Sequence, residues 1–352
     1  MLIKQIISQI QPLEVQAMTS ASARQDRLTK PQGSLGRLEE LSIQVAGITG
    51  SPLPEIRDKV VLVMAGDHGV VQEGVSAYPQ AVTVQMVQNI LNGGAAINVL
   101  SRQTGTRLVV ADLGIAEDLP PHPELIVRKI GYGTQNIARG PAMSREQAAA
   151  SLEAGMQICL AQMERGMDVM ATGEMGIGNT TPSAAIAAAL GGLTATEIAG
   201  RGTGVDDQGL RRKIAAIENA LQTNQPDPND GLDVLAKVGG FEIGGLAGAI
   251  LAAAANRRPV VIDGFISTAA AMLAVSLAPE VRSYLIPAHT SQERGHHLMM
   301  EWLRIEPLLD LKLRLGEGTG AVLAMTLVEA ACALLTEMAT FEQAGVSEKG
   351  SR

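Results

Sequence analysis

Six short apolar runs, rich in β-branched residues, recur along the chain, and each ends at glycine or a small polar residue. They predict strands over residues 60–64, 108–112, 126–130, 168–171, 259–262 and 283–286. The runs are apolar throughout rather than alternating, which is typical of strands covered on both faces. Helical periodicity lies between most of them. This pattern predicts an α/β fold with a doubly wound, mainly parallel, Rossmann-like sheet.

The two ends of the chain show helical periodicity without strand patterns. We therefore expect an α/β domain over residues 50–305 and a small helical domain built from residues 1–49 and 306–352. We expect no membrane span, because the apolar runs 244–255 and 320–335 are too short or carry Glu329. The first ten residues are not expected to form a secretory signal.

Composition excludes several classes of function. The 352 residues carry 28 Lys and Arg against 36 Asp and Glu, a net charge of −8. With no basic run and 2% aromatic residues, the chain is not expected to bind nucleic acid. Cys159 and Cys332 are far apart and form no metal-spaced pair, which favours a reduced, cytoplasmic setting. Neither has an activating context and no GxSxG motif occurs, so the chemistry is expected to rest on a carboxylate.

The strongest local feature is the glycine-rich segment 173–182, which follows a strand and precedes an Ala-rich helix over 183–190. Its glycines allow backbone N–H groups to converge on an anion at the helix N-terminus, with Thr180 or Thr181 as the cap. It is neither a dinucleotide fingerprint nor a Walker loop. A tight turn without a ligand is the alternative.

Three further turns, 200–204, 263–267 and 289–292, have the same two interpretations. Because the turns that follow parallel strands meet at one edge of the sheet, together they predict an anion-binding rim. Lys213, on a basic helix, is a candidate phosphate partner; a solvated position on that helix is equally consistent with the sequence.

Two acidic positions remain open from the residues alone. Asp67 and His68 follow the first strand and have four interpretations: a metal pair, an acid/base dyad, a support for the loop, or a hydrogen bond from Asp67 to a substrate. The other histidines lack matching ligand spacing, so a zinc site is not expected. Glu317 lies between glycines before an apolar helix over 322–335. Partial desolvation would make it a base near neutral pH, whereas a carboxylate that only meets the helix dipole fits equally well.

Nine segments, in order and at matching spacing, resemble one family. They are residues 30–36, 65–70, 76–79, 92–98, 173–181, 202–204, 238–243, 261–265 and 315–320. The sequence resembles the nicotinate-nucleotide:5,6-dimethylbenzimidazole phosphoribosyltransferases of cobalamin lower-ligand synthesis. The resemblance implies transfer of phosphoribose from nicotinate mononucleotide to dimethylbenzimidazole, with inversion at C1′. It implies that Glu317, on a loop of the small helical domain, is the general base and that Glu174 is a second catalytic carboxylate.

Binding roles follow from the same resemblance. The expected phosphate- and nucleotide-binding residues are Gly176, Ile177, Gly178, Asn179, Thr180, Gly202, Thr203, Lys213, Asp263, Gly264 and Ser291. The expected walls of the benzimidazole slot are Pro79, Gln80, Met86, Gln88, Met175 and Leu315. The resemblance implies small-molecule substrates, a reaction without metal and a homodimer; no cofactor is expected. Composition and the lack of a membrane span indicate no nucleic-acid or membrane partner, and the cysteines favour a cytoplasmic location.

Two other functions are weighed against this one. A nucleotide-dependent oxidoreductase would share the sheet, but the GxGxxG fingerprint and its acidic partner are missing. A non-catalytic paralogue that binds azoles or nucleotides would share the pocket, but it would have no need of Glu317 between two glycines.

Overall fold

The six predicted strands form a single parallel sheet in the computed structural model, which describes residues 2–347. Its strands are β1 (Lys59–Gly66), β2 (Arg107–Gly114), β3 (Leu125–Val127), β4 (Val169–Met175), β5 (Val260–Ile262) and β6 (Leu285–Pro287). The strand order is β3-β2-β1-β4-β5-β6, and every neighbouring pair is parallel. The direction of strand succession therefore reverses between β1 and β4, the position at which doubly wound sheets form a ligand crevice. The predicted fold class is confirmed.

Helices connect and cover these strands. They are α1 (Leu2–Gln9), α2 (Val15–Gln25), α3 (Arg37–Thr49), α4 (Val82–Leu91), α5 (Ala96–Thr104), α6 (Arg145–Met163), α7 (Thr180–Gly191), α8 (Ala195–Ile198), α9 (Asp207–Asn224), α10 (Gly231–Val238), α11 (Phe241–Ala255), α12 (Phe265–Leu277), α13 (His296–Leu303), α14 (Thr319–Glu337) and α15 (Phe341–Ala344). Two short 3₁₀ turns, Gly69–Glu73 and Pro279–Tyr284, complete the regular structure.

Both faces of the sheet are buried, as the uninterrupted apolar runs predicted. Alternate residues of β1 belong to different cores: Leu62 packs into a cluster that contains α6 and α11, and Val63 into a cluster that contains α14. Successive side chains of a strand point to opposite faces, so a strand between two helical layers must be apolar at every position. Within the first cluster, α6 and α11 approach closely at glycines, because a Cβ at Gly155 would lie 1.8 Å from the Gly245 carbonyl oxygen.

The terminal segments are helical, as expected, except for residues 305–318, which form an extended loop. This loop carries Glu317 and pairs with the end of the sheet through a single bridge between His289 and Leu309. Helix α1 packs on α11, and α14 packs on α3 and β4. A separate helical domain stays a prediction, and its residues 1 and 348–352 lie outside the described residues.

The length and composition of helix α14 do not agree with the sequence prediction that no segment is suited to span a membrane. Within residues 2–347 it is the one helix long and apolar enough to do so by length and composition. Its apolar residues are explained by its packing, because Val322, Met325 and Val328 are fully buried in the core beneath the sheet. Glu329, the charged residue that argued against a membrane span, forms an ion pair with Lys59 of β1.

Candidate active site

A cavity of about 360 Å³ lies beyond the carboxyl ends of β1, β4, β5 and β6. Four chain segments contribute most of its lining: the end of β4 with the turn after it, the turn after β5, the loop after β6, and the loop before α14. The lining residues are Tyr78, Val82, Met86, Glu174, Met175, Gly176, Ile177, Asn179, Thr180, Gly202, Thr203, Asp263, Gly264, Phe265, Ile266, Ser267, His289, Ser291, Glu293, Arg314, Leu315, Gly316 and Glu317.

Most of the residues expected from the sequence meet at this cavity. Both carboxylates do, and so do nine of the eleven predicted phosphate- and nucleotide-binding residues. The exceptions are Gly178 and Lys213. Of the predicted benzimidazole walls, Met86, Met175 and Leu315 line the cavity, whereas Pro79, Gln80 and Gln88 do not.

The glycine-rich turn joins β4 to α7. Its Ile177 N–H donates to Thr83 Oγ1 at 3.0 Å, and the Asn179 side chain donates to the Glu174 carboxylate. Helix α7 begins at Thr180, and its N-cap is Asn179, which makes no side-chain cap hydrogen bond. The prediction that Thr180 or Thr181 caps this helix is therefore wrong, because the helix starts earlier in the chain than the Ala-rich pattern indicates.

Lys213 lies one layer behind the cavity. It projects from α9, is 1% exposed, and donates to Thr180 Oγ1 at 2.8 Å and to the Gly200 carbonyl at 3.3 Å. Burial lowers the pKa of Lys213 to about 8, against the opposing charge of Glu293. A bound anion at the start of α7 would gain from this charge, because burial strengthens electrostatic interactions.

Gly202 brings a second loop against the same ammonium group. A Cβ at position 202 would lie 2.8 Å from Lys213 Nζ and 2.9 Å from Thr180 Oγ1, and the backbone has a φ of +52°. Only glycine permits this approach. The turns after Met175 and after Gly200 therefore converge on one cation, which is the arrangement expected of an anion-binding rim.

Glu174 stands at the end of β4, 7% exposed. Burial raises the pKa of Glu174 to about 8; the hydrogen bond from Asn179 opposes this shift, and the charges of Glu242, Asp263 and Glu317 add to it. In the free protein this carboxyl group is therefore mostly protonated at neutral pH.

Glu317 lines the same cavity as Glu174, from the loop before α14. Three consecutive residues there have positive φ: Gly316 at 85°, Glu317 at 62° and Gly318 at 90°. A Cβ at position 316 would lie 2.3 Å from Glu174 Oε1, so glycine lets the two acidic segments touch. The Glu317 carboxylate accepts a hydrogen bond from Ile97 N–H in the first turn of α5 at 3.4 Å. Burial raises the pKa of Glu317; the Ile97 hydrogen bond opposes this shift and the Asp263 charge adds to it.

One part of the cavity lining is apolar. Val82 and Met86 lie one turn apart on α4, and Met175 and Leu315 line the cavity from β4 and from the loop before α14. Flexible methionine side chains suit a flat apolar ring of variable outline. Gln88 lies two residues beyond Met86 on the same helix. Because side chains two positions apart on a helix point to different faces, Gln88 does not line the cavity with Met86.

Sequence reasoning missed several lining residues. They are Tyr78, Val82, Phe265, Ile266, Ser267, His289, Glu293, Arg314 and Gly316. Most stand inside or beside segments that the sequence marked as turns or motifs, so their neighbourhood was identified but not their orientation. Glu293 and Arg314 had no such signal as site residues, because charged loop residues are usually solvated.

Asp67 and His68 do not line the cavity. His68 Nε2 and Glu242 Oε1 lie 2.7 Å apart, and both residues are buried. The Asp67 carboxylate accepts a hydrogen bond from Ala116 N–H at 2.9 Å. Of the four sequence interpretations, these contacts match a loop support. Over residues 2–347, no group of three or more His, Cys, Asp or Glu side chains is arranged to hold a metal ion.

The chain resembles known proteins over nearly its whole length. The sequence profile of a family described as phosphoribosyltransferase matches residues 10–346. The nicotinate-nucleotide–dimethylbenzimidazole phosphoribosyltransferase of Roseiflexus sp. (strain RS-1) is 60% identical over 348 residues, 99% of both chains. The protein of the same name from Geobacter sulfurreducens is 55% identical over 347 residues, again 99% of both. The crystal structure of CobT from Thermus thermophilus has 48% sequence identity and a TM-score of 0.92, and the match covers 95% of this chain and 100% of that one.

Proposed function

The chain belongs to the nicotinate-nucleotide:dimethylbenzimidazole phosphoribosyltransferase family, and on that premise we propose how its residues carry the reaction. It is a pentosyltransferase of cobalamin lower-ligand synthesis. The proposed reaction transfers phosphoribose from nicotinate mononucleotide to 5,6-dimethylbenzimidazole, giving α-ribazole 5′-phosphate and nicotinate. One observation carries the proposal: Glu317 and Glu174 line the same cavity as the anion-binding turn and the apolar slot.

Glu317 is the proposed general base. One benzimidazole nitrogen attacks C1′ while the other loses its proton, and Glu317 takes that proton. Raised pKa and partial burial suit a carboxylate for this task near neutral pH. General-base assistance of this kind contributes about 10²–10⁴-fold, or about 3–5 kcal/mol of barrier.

The leaving group requires no acid. Nicotinate departs from C1′ as a neutral pyridine ring, so its positive charge disappears as the bond breaks. In the proposed geometry the benzimidazole attacks from the opposite face, which inverts C1′. Glu174, once ionised, stabilises the cationic ribosyl centre. The pyridinium charge of the bound nucleotide favours that ionisation, because an opposite charge nearby lowers a carboxyl pKa.

The 5′-phosphate binds at the rim formed by residues 176–180 and 202–203. Lys213 supplies a buried positive charge behind this rim, and Gly264 and Ser291 line its other side. The dimethylbenzimidazole occupies the apolar part beside Met86, Met175 and Leu315. This arrangement puts C1′ between the two carboxylates.

The assembly and location are also proposals. We propose a homodimer, because Val15, Leu53 and Val346 are large apolar side chains left exposed on or near the terminal segments. Light scattering after size exclusion tests this, and a monomeric mass contradicts it. A cytoplasmic location is consistent with Cys159 and Cys332, which are buried and unpaired.

The reaction is tested with purified protein, nicotinate mononucleotide and 5,6-dimethylbenzimidazole. The expected result is base-dependent release of nicotinate and an α-configured riboside phosphate, identified by mass and NMR. Glu317→Gln is expected to lower kcat by about 10²–10⁴-fold while base binding persists. Glu337→Gln, at the exposed end of α14, the helix that follows the Glu317 loop, is the control. Absence of product with this base and with related azoles would favour a binding paralogue.

A further inference from the structure

Asp263 was expected to bind nucleotide, but its carboxylate is occupied within the protein. The residue follows β5 and is 1% exposed. Its Oδ1 accepts a hydrogen bond from Ala321 N–H at 2.9 Å, and its Oδ2 accepts one from Gly318 N–H at 3.2 Å. Its own N–H donates to Thr172 Oγ1 of β4 at 3.2 Å. Asp263 therefore ties the first turn of α14 to the centre of the sheet.

Helix α14 lacks a cap of its own. Gly318 is its N-cap and has no side chain, so the N-cap residue offers no acceptor to the N–H groups of the first turn. Asp263 supplies the missing acceptor from a distant strand. Its negative charge also lies at the positive end of a 19-residue helix dipole.

The capped residue directly follows Glu317. A positive φ is unfavourable for glutamate and persists only where surrounding contacts hold it. On the C-terminal side of Glu317, the Gly318 N–H donates to the Asp263 carboxylate, which holds Gly318 in place. The Glu317 carboxylate itself accepts a hydrogen bond from Ile97 N–H at 3.4 Å, which is longer than the 3.2 Å hydrogen bond from Gly318 N–H to Asp263.

We propose that Asp263 is a positioning residue for Glu317: by capping α14, it holds loop 316–318 so that the Glu317 carboxylate stays in the cavity. This inference rests on the proposed function, in which Glu317 is the base. It differs from the sequence expectation, because a nucleotide-binding carboxylate would have its oxygens directed to the substrate.

The charge of Asp263 has a second consequence. The acidic groups that face Glu317 are Asp263 and Glu174, from the ends of β5 and β4. His289, from the loop after β6, faces Asp263 with Nε2 3.6 Å from Oδ1. Burial lowers the pKa of His289, but the adjacent Asp263 carboxylate and the backbone of Thr290 outweigh this effect and raise that pKa. Because a neighbouring negative charge raises a carboxyl pKa, Asp263 also keeps Glu317 a stronger base.

The test is Asp263→Asn, which keeps the shape of the side chain but removes its charge and one acceptor. We expect kcat to fall about 10- to 100-fold through misplacement of the base, with KM for nicotinate mononucleotide nearly unchanged. We also expect the acid limb of the pH profile of kcat to move to lower pH. A purely structural role for Asp263 would not move that limb.

Asp112→Asn is the matched control. Asp112 lies near the end of β2, is 1% exposed, and accepts a backbone hydrogen bond from Ile115 N–H at 2.9 Å. Its other oxygen, Oδ2, lies 3.1 Å from Lys129 Nζ. It does not line the cavity. Its variant is expected to lose stability without any shift of the acid limb.

Three results would overturn the inference. The first is an Asp263→Asn variant with an unmoved acid limb. The second is a variant whose main change is a raised KM for nicotinate mononucleotide, which would assign Asp263 to substrate binding. If Asp263→Asn does not fold, Asp263→Glu is used, because it keeps the charge but moves it by one methylene. The third contradicting result is a wild-type kcat in Asp263→Glu. A lowered kcat with an unmoved acid limb in Asp263→Glu supports the proposal.

Glu317→Gln is measured alongside to separate this inference from the proposed function. If Glu317→Gln keeps wild-type turnover, the proposed base is wrong and Asp263 has no base to position. If Glu317→Gln is inactive while Asp263→Asn behaves as Asp112→Asn does, the proposed function stands and the role of Asp263 fails alone.

Discussion

His68 Nε2 and Glu242 Oε1 lie 2.7 Å apart in a fully buried ion pair directly beneath the Gly176 turn. A Cβ at position 176 would lie 3.3 Å from the same His68 nitrogen. The pair therefore supports the turn that forms the anion-binding rim, although neither residue lines the cavity.

Removing one partner of this pair is expected to destabilise the protein. Burial lowers the pKa of His68, but the charge and hydrogen bond of Glu242, with the charge of Asp67, raise it above its usual 6.5. The pair's contribution is therefore complete below about pH 6.5 and is lost as pH rises through the raised pKa. Glu242→Gln should lower the free energy of unfolding by about 3–5 kcal/mol at pH 6 and by less at pH 9. Urea denaturation measures this.

Glu40→Gln serves as the control, because its ion pair with Arg37 is exposed on α3. Such surface pairs contribute about 0–1 kcal/mol. A Glu242→Gln effect that does not change between pH 6 and pH 9 would contradict the pairing with protonated His68.

The pH dependence of kcat/KM for nicotinate mononucleotide should have a rising limb set by Glu174. This pKa is about 8 in the free protein, and the ionised form is the one proposed to act. Glu174→Gln is expected to remove the limb. Asn179→Ala should move it to higher pH, because the hydrogen bond from Asn179 lowers this pKa. An Asn179→Ala profile shifted to lower pH would argue against Glu174 as the group observed.

The falling limb of the same profile is assigned to Lys213. Its pKa of about 8 means that the ammonium loses its charge in mildly alkaline solution, and phosphate binding then weakens. Lys213→Arg should move the falling limb to higher pH, since the guanidinium stays charged. Lys213→Met should raise KM for the nucleotide at neutral pH. Arg211→Met, exposed on the same helix, should leave both unchanged.

Met86 is expected to control affinity for the acceptor base. Truncation to alanine removes apolar contact from the slot, so Met86→Ala should raise KM for 5,6-dimethylbenzimidazole by about 10- to 100-fold. KM for nicotinate mononucleotide should not change. Gln85→Ala, on the exposed face of α4, is the control. Equal increases in both KM values would mean that the change reaches the phosphate rim.

The strands were predictable because their signal is local. A run such as 60–64 is apolar at every position and short, as a strand buried on both faces requires. Residues 305–318 were assigned to a helical region, but they form a loop, because their structure depends on contacts with distant segments. Thr290 N–H donates to the Leu309 carbonyl, and Asp263 binds the end of the loop.

The sequence by itself determined the sheet, the glycine-rich turns and the acidic and basic residues available for chemistry, since each is a local pattern of residue types. Only the tertiary structure decided their roles. In the folded chain Lys213 lies behind the rim, the carboxylate oxygens of Asp263 accept hydrogen bonds from α14, and Gln88 does not line the cavity. The reason is physical: the orientation of a side chain depends on which strand ends and helices meet, and residues far apart in sequence supply those partners.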